Sequence, residues 1–290
     1  MDRAKIFARL SALLLGICLA GCSRQTPIVV GSKNFTEQVL LGEILAQQIE
    51  RRLGVPVERK LDLGGTLLAH EALVAGAIDV YPEYTGTALT TVLKQPGRRD
   101  PQAVFEAVRD AYRHQWQLDW IPPFGFNNTF AIIVRRDEKL TTLSEAAKSH
   151  SWRLGVGYEF RQRPDGLDGM LKTYNLRLSG DPVTMDLGLL YSALDGRKVD
   201  MIAANSTDGL IAVRDVAVLE DDRSYFPPYQ CAAVVRRATL ARYPGLGDAL
   251  RELSDRLPDR TMRRLNYEVD GEHHPAAQVA GEFLRSLPRR

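Results

Sequence analysis

The segment Val80–Thr87 brings together residue types that suit the binding of an organic cation. It contains Tyr81, Tyr84, Thr85 and Thr87, interrupted by a proline and a glycine. The faces of tyrosine rings attract a desolvated positive charge, and threonine hydroxyls can orient the polar head of a ligand. Neither a half-buried strand nor an amphipathic helix needs such a mixture. The segment is therefore predicted to be a strand end and turn that contact a ligand, whereas Tyr81 is predicted to support it by packing.

The sequence gives little support for catalysis or for a metal site. Its five histidines lack the spacing to cysteines or carboxylates that is typical of zinc ligands. A Gly-x-Ser-x-Gly nucleophile motif is absent from it, and Gly64–Thr66 lacks the lysine of a phosphate-binding loop. We therefore predict a binding protein without catalytic residues, metal or cofactor. The alternative of another class is a cell-envelope enzyme, which would need a nucleophile and a base converging in a cleft.

The first part of the chain predicts alternating strands and helices. Asn34 and Thr36 can cap a helix, and Glu37 stands where a capping box would place it. Gly54 is expected to end this helix. Short apolar runs on either side are typical of strands in a parallel α/β sheet. The predicted elements are strands at Ile28–Val30, Val55–Leu61, Ile78–Tyr81 and Leu118–Ile121, and helices up to Leu53, at Thr66–Ala75 and from Asp100-Pro101 onward.

The second part restarts this pattern, with Thr142 and Glu145 as a predicted capping box. Connections near Gly125–Phe130 and Pro227–Tyr229 would join the two units twice, and a cleft between lobes is a usual place for a ligand. The predicted elements are strands at Phe130–Val134, Trp152–Val156, Val199–Ala203 and Cys231–Val235, and helices at Gly188–Leu194, Pro244–Leu257, Asp259–Tyr267 and Pro275–Leu287.

The N-terminus has the features of a secretory signal peptide over residues 1–21. A basic start precedes an apolar run that is too short for a comfortable transmembrane helix. The run ends in Leu-Ala-Gly-Cys, which resembles a bacterial lipoprotein cleavage box. Cys22 is therefore predicted to be lipidated and to anchor the mature chain to the membrane. An ordinary signal peptide with a chance cysteine is the alternative.

The charge balance gives no indication of a nucleic-acid or anionic-membrane partner. The chain has 38 lysines and arginines and 36 aspartates and glutamates. Residues 1–21 contain three of the basic residues and one acidic residue, so the predicted mature chain carries 35 of each. Such a balance provides no electrostatic attraction to polyanions. Beyond Cys22 the sequence has one further cysteine, Cys231, whose apolar surroundings predict a buried thiol and no internal disulfide.

Six short motifs follow one another along the chain, at Gly31–Gln38, Gly64–Thr66, Ile78–Thr87, Gly125–Thr129, Ser206–Gly209 and Phe226–Tyr229. In this order they resemble the substrate-binding proteins of glycine betaine/choline/carnitine ABC importers, over residues 28–287. The resemblance implies an α/β, two-lobed, type II periplasmic-binding-protein fold with two hinge crossings. Residues 28–129 and 231–290 would form lobe I, residues 130–230 lobe II, and residues 22–27 a tether. It further implies hinge closure, a periplasmic location, a membrane permease with its ATPase as partners, and a monomeric chain.

The same resemblance implies how the ligand is held. Tyr84 and Tyr229 correspond to rings of an aromatic cage around a quaternary ammonium, and Tyr225 is a nearby candidate. Thr87 corresponds to a hydroxyl that contacts the ligand. Asn128 corresponds to a polar position beside the next cage residue.

Two basic residues, Lys33 and Arg163, resemble positions that pair with a ligand carboxylate. An arginine can bind a carboxylate through two parallel hydrogen bonds. A solvated position at the helix start is the alternative for Lys33. Glu83 is as much expected to bind loop backbone as to touch the ligand, and Asp208 is predicted to cap the helix that follows it.

The chain departs from the family pattern at two positions of the cage. Phe130 stands where a tyrosine is frequent, which keeps the ring and removes the hydroxyl. Asn205 stands where another tyrosine is frequent, which removes one wall. Each ring contributes roughly 0.5–2 kcal/mol to cation binding, so the loss of one wall predicts binding roughly 2- to 30-fold weaker. The alternative ligand is therefore a different zwitterion or an amino-acid-like solute, with Asn205 adding a hydrogen bond.

Overall fold

The computed structural model describes residues 26–288. The predicted signal peptide and the predicted lipidation site Cys22 lie outside this range. Within it, ten strands form two five-stranded sheets. The strands are β1 (Ile28–Gly31), β2 (Val57–Lys60), β3 (Val80–Tyr84), β4 (Leu118–Trp120), β5 (Phe130–Arg135), β6 (Leu154–Val156), β7 (Val183–Thr184), β8 (Met201–Asn205), β9 (Val216–Leu219) and β10 (Cys231–Arg236).

Helices cover both sheets. They are α1 (Thr36–Leu53), α2 (Thr66–Val74), α3 (Thr85–Thr87), α4 (Pro101–Trp116), α5 (Leu143–Ser149), α6 (Tyr158–Gln162), α7 (Leu167–Tyr174), α8 (Leu190–Asp195), α9 (Arg237–Arg242), α10 (Leu246–Arg251), α11 (Asp259–Asp270) and α12 (Ala276–Ser286). A π-helical turn at Ala88–Val92 continues α3, and 3-10 turns occur at Arg136–Glu138, Leu187–Leu189 and Gly209–Ala212.

The first sheet has the strand order β2-β1-β3-β10-β4. Its strands β1, β2 and β3 are parallel, as the alternation of strands and helices predicts. Strand β10 pairs antiparallel with β3 and β4, so the sheet is mixed and the predicted all-parallel arrangement is wrong there. The cause is topological, because the chain reaches β10 only after returning from the second sheet.

Strand β3 runs three residues further than predicted and thereby positions the tyrosine-rich segment. Its last residue, Tyr84, lies opposite Cys231 of β10. Side chains alternate along a strand, so Tyr81 and Tyr84 belong to hydrophobic clusters on opposite sides of the sheet. Helix α3 begins directly after Tyr84. The predicted strand end and turn at Val80–Thr87 is thus confirmed.

Local signals determine where several helices begin and end. Helix α1 ends at Gly54, which adopts a left-handed backbone with φ of 67° that a glycine tolerates easily. Helix α4 is capped by the Asp100 side chain, and α5 has the predicted capping box of Thr142 and Glu145. At the start of α1, however, Phe35 is the N-cap and provides no side-chain hydrogen bond. The predicted capping box with Glu37 is therefore wrong.

The second sheet has the order β7-β6-β8-β5-β9 and is also mixed. Strand β5 lies antiparallel between β8 and β9, while β6 is parallel to β7 and β8. The sequence did not predict β7, β9, α6 or α7. These elements are short, and their hydrophobic periodicity is too brief to be recognised.

The chain crosses between the sheets twice, after β4 and before β10. The two crossing segments pair with each other, since Asn127 and Gln230 form an antiparallel bridge. The Asn127 side chain also accepts a hydrogen bond of 2.6 Å from the backbone N–H of Tyr229. Near this junction the turn at Gly209 touches α11, where a Cβ on Gly209 would lie 2.4 Å from the backbone of Tyr267. Only a glycine allows so close an approach.

Candidate ligand-binding site

A cavity of about 840 Å³ lies between the two sheets. It has the size of pockets that enclose small organic molecules. Elements of both sheets contribute to its lining, including β3, the start of α1 and the loops after β6 and β8. Eight of the nine predicted ligand-contacting residues line it, namely Lys33, Tyr84, Thr87, Asn128, Phe130, Arg163, Asn205 and Tyr229.

Tyr225 is the exception among the predicted residues. It lines a separate cavity of about 280 Å³ on the other side of Asp165. Its hydroxyl donates to the backbone oxygens of Pro164 and Gly166, at 3.3 and 3.1 Å. Its ring packs against Phe226, with 4.9 Å between ring centroids. These contacts hold Tyr225 outside the main cavity, so the structure does not support the prediction that it contacts the ligand.

Aromatic rings form one side of the cavity. Phe130 and Tyr229 meet edge to face with their centroids 5.7 Å apart, and Phe35 stacks on Tyr84 at 6.3 Å. The guanidinium of Arg163 lies 5.0 Å from the Phe130 ring centroid and 5.5 Å from that of Tyr229. These two rings thus face a cation supplied by the protein itself. Phe35 was not predicted as a contact, although it stands inside the motif that contains Lys33.

Arg163 is buried and already paired with a neighbouring carboxylate. Its Nε and Nη2 donate to the two oxygens of Asp165, at 2.9 and 2.6 Å, and its Nη1 donates to the Thr87 hydroxyl at 2.9 Å. Burial alone would raise the pKa of Asp165, but the guanidinium holds it below its usual value. Three of its five N–H donors are thus used, and a second carboxylate, that of Glu159, lies 3.6 Å from its Nη1.

Lys33 is likewise buried and paired. Its Nζ lies 2.6 Å from Glu83 and 2.9 Å from the Thr66 hydroxyl, and 5.1 Å from the centroid of the Tyr84 ring. Glu83 also accepts from the backbone N–H of Tyr84 at 2.6 Å. Glu83 therefore binds the backbone at the end of β3 and neutralises Lys33, and it does not line the cavity.

Glu37 is a member of the site that the sequence did not reveal. It is 3% exposed and accepts four hydrogen bonds. The donors are the hydroxyls of Tyr84 at 2.7 Å and Thr207 at 2.5 Å, and the side-chain amides of Asn128 at 2.8 Å and Asn266 at 2.9 Å. Burial raises the pKa of Glu37, and these four donors only partly offset that effect. The carboxylate joins both sheets at the edge of the cavity.

Asp208 does not cap the turn that follows it, contrary to prediction. Its Oδ2 accepts instead from the backbone N–H of Asn205 at 3.3 Å and from the Tyr191 hydroxyl at 3.2 Å. Burial raises the pKa of Asp208 to about 7, and the nearby charges of Glu37 and Asp270 add to the shift. Tyr191 also lines the cavity and is a further aromatic residue that the sequence did not reveal.

This raised pKa predicts a pH-dependent stability. Since the pKa of Asp208 is higher in the folded chain than in the unfolded one, folding favours its protonated form. That contribution is complete below about pH 4 and is lost as the pH rises through about 7. Between about pH 5 and about pH 8, Asp208→Asn should therefore become more stable relative to wild type, by on the order of 2 kcal/mol in urea unfolding. Asp215→Asn, at a side chain 85% exposed, is the control, and an equal response of both variants would contradict the expectation.

Hydrogen bonds beside the cavity connect elements of the two halves of the structure. The backbone N–H of Thr66 donates to Glu159 at 2.5 Å, and the Thr90 hydroxyl donates to Asp165 at 2.8 Å. Thr66 is the first residue of α2, and Gly65 occupies the N-cap position. Burial would raise the pKa of Glu159, yet Lys33 and Arg163 keep it below its usual value. The elements on the two sides of the cavity are thus in direct contact.

Two further observations concern residues 26–288 only. No group of three or more histidine, cysteine or carboxylate side chains among them is arranged to hold a metal ion. None of their helices combines the length and apolar character that crossing a membrane requires.

Comparison with known proteins identifies the family. Residues 26–286 match the family described as the substrate binding domain of ABC-type glycine betaine transport systems. The chain belongs to this family. It is thus an extracytoplasmic solute-binding protein of ABC transport, which confirms the function implied by the six motifs.

Two curated relatives illustrate the range of solutes in this family. The ergothioneine transport permease/ergothioneine binding protein EgtU of Helicobacter pylori is 33% identical over 91% of this chain, which spans about half (48%) of that protein. The carnitine transport binding protein OpuCC of Listeria monocytogenes is 32% identical over 95% of this chain and 92% of its own length.

A solved structure shows the same fold. The crystal structure of a glycine betaine/carnitine/choline ABC transporter protein has a TM-score of 0.76 and 32% identity, covering 89% of this chain and 97% of the other. The type II periplasmic-binding-protein fold implied by the motifs is therefore confirmed.

Proposed function

We propose that this protein binds a small quaternary ammonium compound in the cavity between the sheets and delivers it to an ABC permease. The observation that carries the proposal is the set of rings of Tyr84, Phe130 and Tyr229 around one cavity. Ring faces attract an alkylated ammonium, which offers no hydrogen-bond donors. The name of the relative OpuCC, a carnitine transport binding protein, and the description of the family support the same ligand class.

The carboxylate of a zwitterionic ligand would bind at Arg163. Two N–H donors of Arg163 remain after its bonds to Asp165 and Thr87. Lys33 is a weaker candidate for this contact, because Glu83 lies 2.6 Å from its ammonium. A different zwitterion or an amino-acid-like solute is the second candidate, favoured by the absence of a ring at Asn205.

Closure of two lobes around the ligand would complete the site. The proposed lobes are residues 28–129 with 231–290 and residues 130–230, connected by the paired crossing segments at Asn127 and Gln230. Hydrogen bonds such as Thr66–Glu159 and Thr90–Asp165 would form on closure. We further propose that the protein is a monomer and that Cys22 carries a lipid anchor in the cell envelope.

Titration calorimetry with glycine betaine, choline, carnitine, proline betaine, ectoine and amino acids tests the ligand class. Heat from at least one quaternary compound is expected. Binding of amino acids alone would replace the first proposal by the second. The absence of heat from every quaternary compound would contradict the first proposal outright.

Phe130→Ala tests the aromatic contact most cleanly, because this ring has no hydroxyl that bonds elsewhere. Loss of one ring should weaken choline binding roughly 2- to 30-fold in calorimetry. Tyr225→Phe is the matched control, and its affinity should equal that of wild type because Tyr225 lies outside the cavity. A larger effect of Tyr225→Phe than of Phe130→Ala would reverse the assignment of the two residues.

A further inference from the structure

The buried carboxylates of residues 26–288 have basic partners, with one exception. Four carboxylate side chains are buried in this part of the chain. Three of them form ion pairs, namely Glu43 with Arg59 at 3.1 Å, Glu83 with Lys33 at 2.6 Å and Asp165 with Arg163 at 2.6 Å. Glu37 is the fourth, and no basic nitrogen of residues 26–288 lies within 4.0 Å of it. Its charge is therefore not matched by a neighbouring cation within the described range.

The hydrogen bonds of Glu37 favour its ionised form. An ionised carboxylate has about four acceptor positions and no donor, and Glu37 accepts from four groups at 2.5–2.9 Å. A proton on either oxygen would occupy one of these positions and face another donor. The four donors are hydroxyls and amides, which stabilise the negative charge without cancelling it. A buried charge that has no counter-ion remains costly.

This carboxylate lies directly behind one ring of the cavity. The Tyr84 hydroxyl donates to Oε1 of Glu37 at 2.7 Å, and both residues line the cavity. The bond places a negative charge at the hydroxyl end of the ring and polarises the phenol, which makes the ring face more attractive to a cation. Lys33 lies 5.1 Å from the centroid of the same ring, but Glu83 matches its charge. The charge of Glu37 thus remains available to a cation in the cavity.

We propose that Glu37 is the counter-ion for the cationic group of the ligand, acting through the Tyr84 ring and across a short distance without direct contact. This inference rests on the proposed function and deepens it, because it assigns the residue that selects for charge. The rings accept any apolar group of the right shape and add a moderate preference for a cation. Glu37 increases that preference, since a ligand cation compensates its buried charge.

Choline and 3,3-dimethyl-1-butanol test the proposal, because the two molecules have the same shape and differ in charge. The ratio of their Kd values, called the charge preference below, is measured from the ligand-dependent rise of the melting temperature, which also reports weak binding. Glu37→Gln removes the charge and keeps the size of the side chain. The Asn128 amide can turn over and offer its Oδ1, which has no donor among the described residues, to the new N–H. The charge preference should fall roughly 5- to 30-fold in this variant.

Two further variants separate the charge of Glu37 from its structural role. Thr207→Val removes one of the four hydrogen bonds and keeps the charge, and Glu37→Asp keeps the charge on a shorter side chain. Both should retain the charge preference of wild type, even where both ligands bind more weakly. If the melting curve shows that Glu37→Gln does not fold, Glu37→Met with Thr207→Val replaces it. In that double variant the Asn266 amide keeps its bond to the backbone oxygen at position 207.

An unchanged charge preference in Glu37→Gln would overturn the proposal. Both ligands would then be weakened by the same factor, and Glu37 would only link the two sheets. The proposed function would still stand in that case, because wild type binds choline. If neither choline nor glycine betaine binds to wild type, the proposed function itself fails.

Discussion

Replacing Lys33 by methionine should lower the free energy of unfolding by about 3–5 kcal/mol. The side chains of Lys33 and Glu83 are 2% and 0% exposed and their charged atoms lie 2.6 Å apart. Methionine fills a similar volume but leaves the Glu83 carboxylate with only the Tyr81 hydroxyl and the backbone N–H of Tyr84 as donors. An uncompensated buried charge is much more costly than the loss of the pair itself. Urea unfolding without ligand measures the effect.

The double variant Lys33→Met with Glu83→Gln is the decisive control. It removes both charges, so it should recover most of the stability lost in the single variant. Arg136→Met breaks an exposed pair, with Arg136 and Asp215 64% and 85% exposed, and should cost no more than about 1 kcal/mol. If Lys33→Met costs as little as Arg136→Met, the ion pair is not buried as described.

Most helix ends and strands of this chain could be predicted from its sequence, because the signals that determine them are local. Gly54, Asp100 and the Thr142–Glu145 box each act within four residues, and the structure has all three as predicted. The family resemblance predicted most of the residues that line the cavity, because the six motifs lie at strand ends and loops that converge between the sheets. Tyr225, a candidate only because it stands next to the Phe226–Tyr229 motif, lines the other cavity, since nearness along the chain does not determine the direction of a side chain.

The polar network of the site could not be read from the sequence, because its bonds are non-local. Glu37 and Asp208 both fit local capping patterns, but Glu37 binds distant partners, and Asp208 binds Asn205 three residues before it and Tyr191 17 residues before it. The donors to Glu37 lie 47, 91, 170 and 229 residues away along the chain. Burial makes these bonds important for stability, because an unsatisfied carboxylate inside the protein destabilises the fold more than a missing helix cap does. By contrast, the Arg163–Asp165 pair could have been predicted from the sequence, because its two members are only two residues apart.

Replacing Arg163 should have the largest effect on ligand binding. Its two remaining N–H donors are the best-placed charged partners for a ligand carboxylate, and each such bond contributes about 1.5–3 kcal/mol. Loss of both should weaken glycine betaine binding by about 100-fold or more. Choline has the same trimethylammonium group but no carboxylate, so its affinity should fall much less. Removing the guanidinium also frees the faces of Phe130 and Tyr229, which lie 5.0 and 5.5 Å from it.

The variant must not leave Asp165 as an unpaired buried charge. Arg163→Gln with Asp165→Asn keeps a neutral hydrogen-bonding pair, with Thr90 and Tyr229 still able to donate to the side chain at 165. Calorimetry with glycine betaine and choline on this double variant separates loss of recognition from loss of folding, which its melting temperature reports. A selective loss of glycine betaine binding would place the ligand carboxylate at Arg163. Equal losses for both ligands would instead mean that Arg163 organises the rings through Asp165 and Thr87, and that the carboxylate binds elsewhere in the cavity.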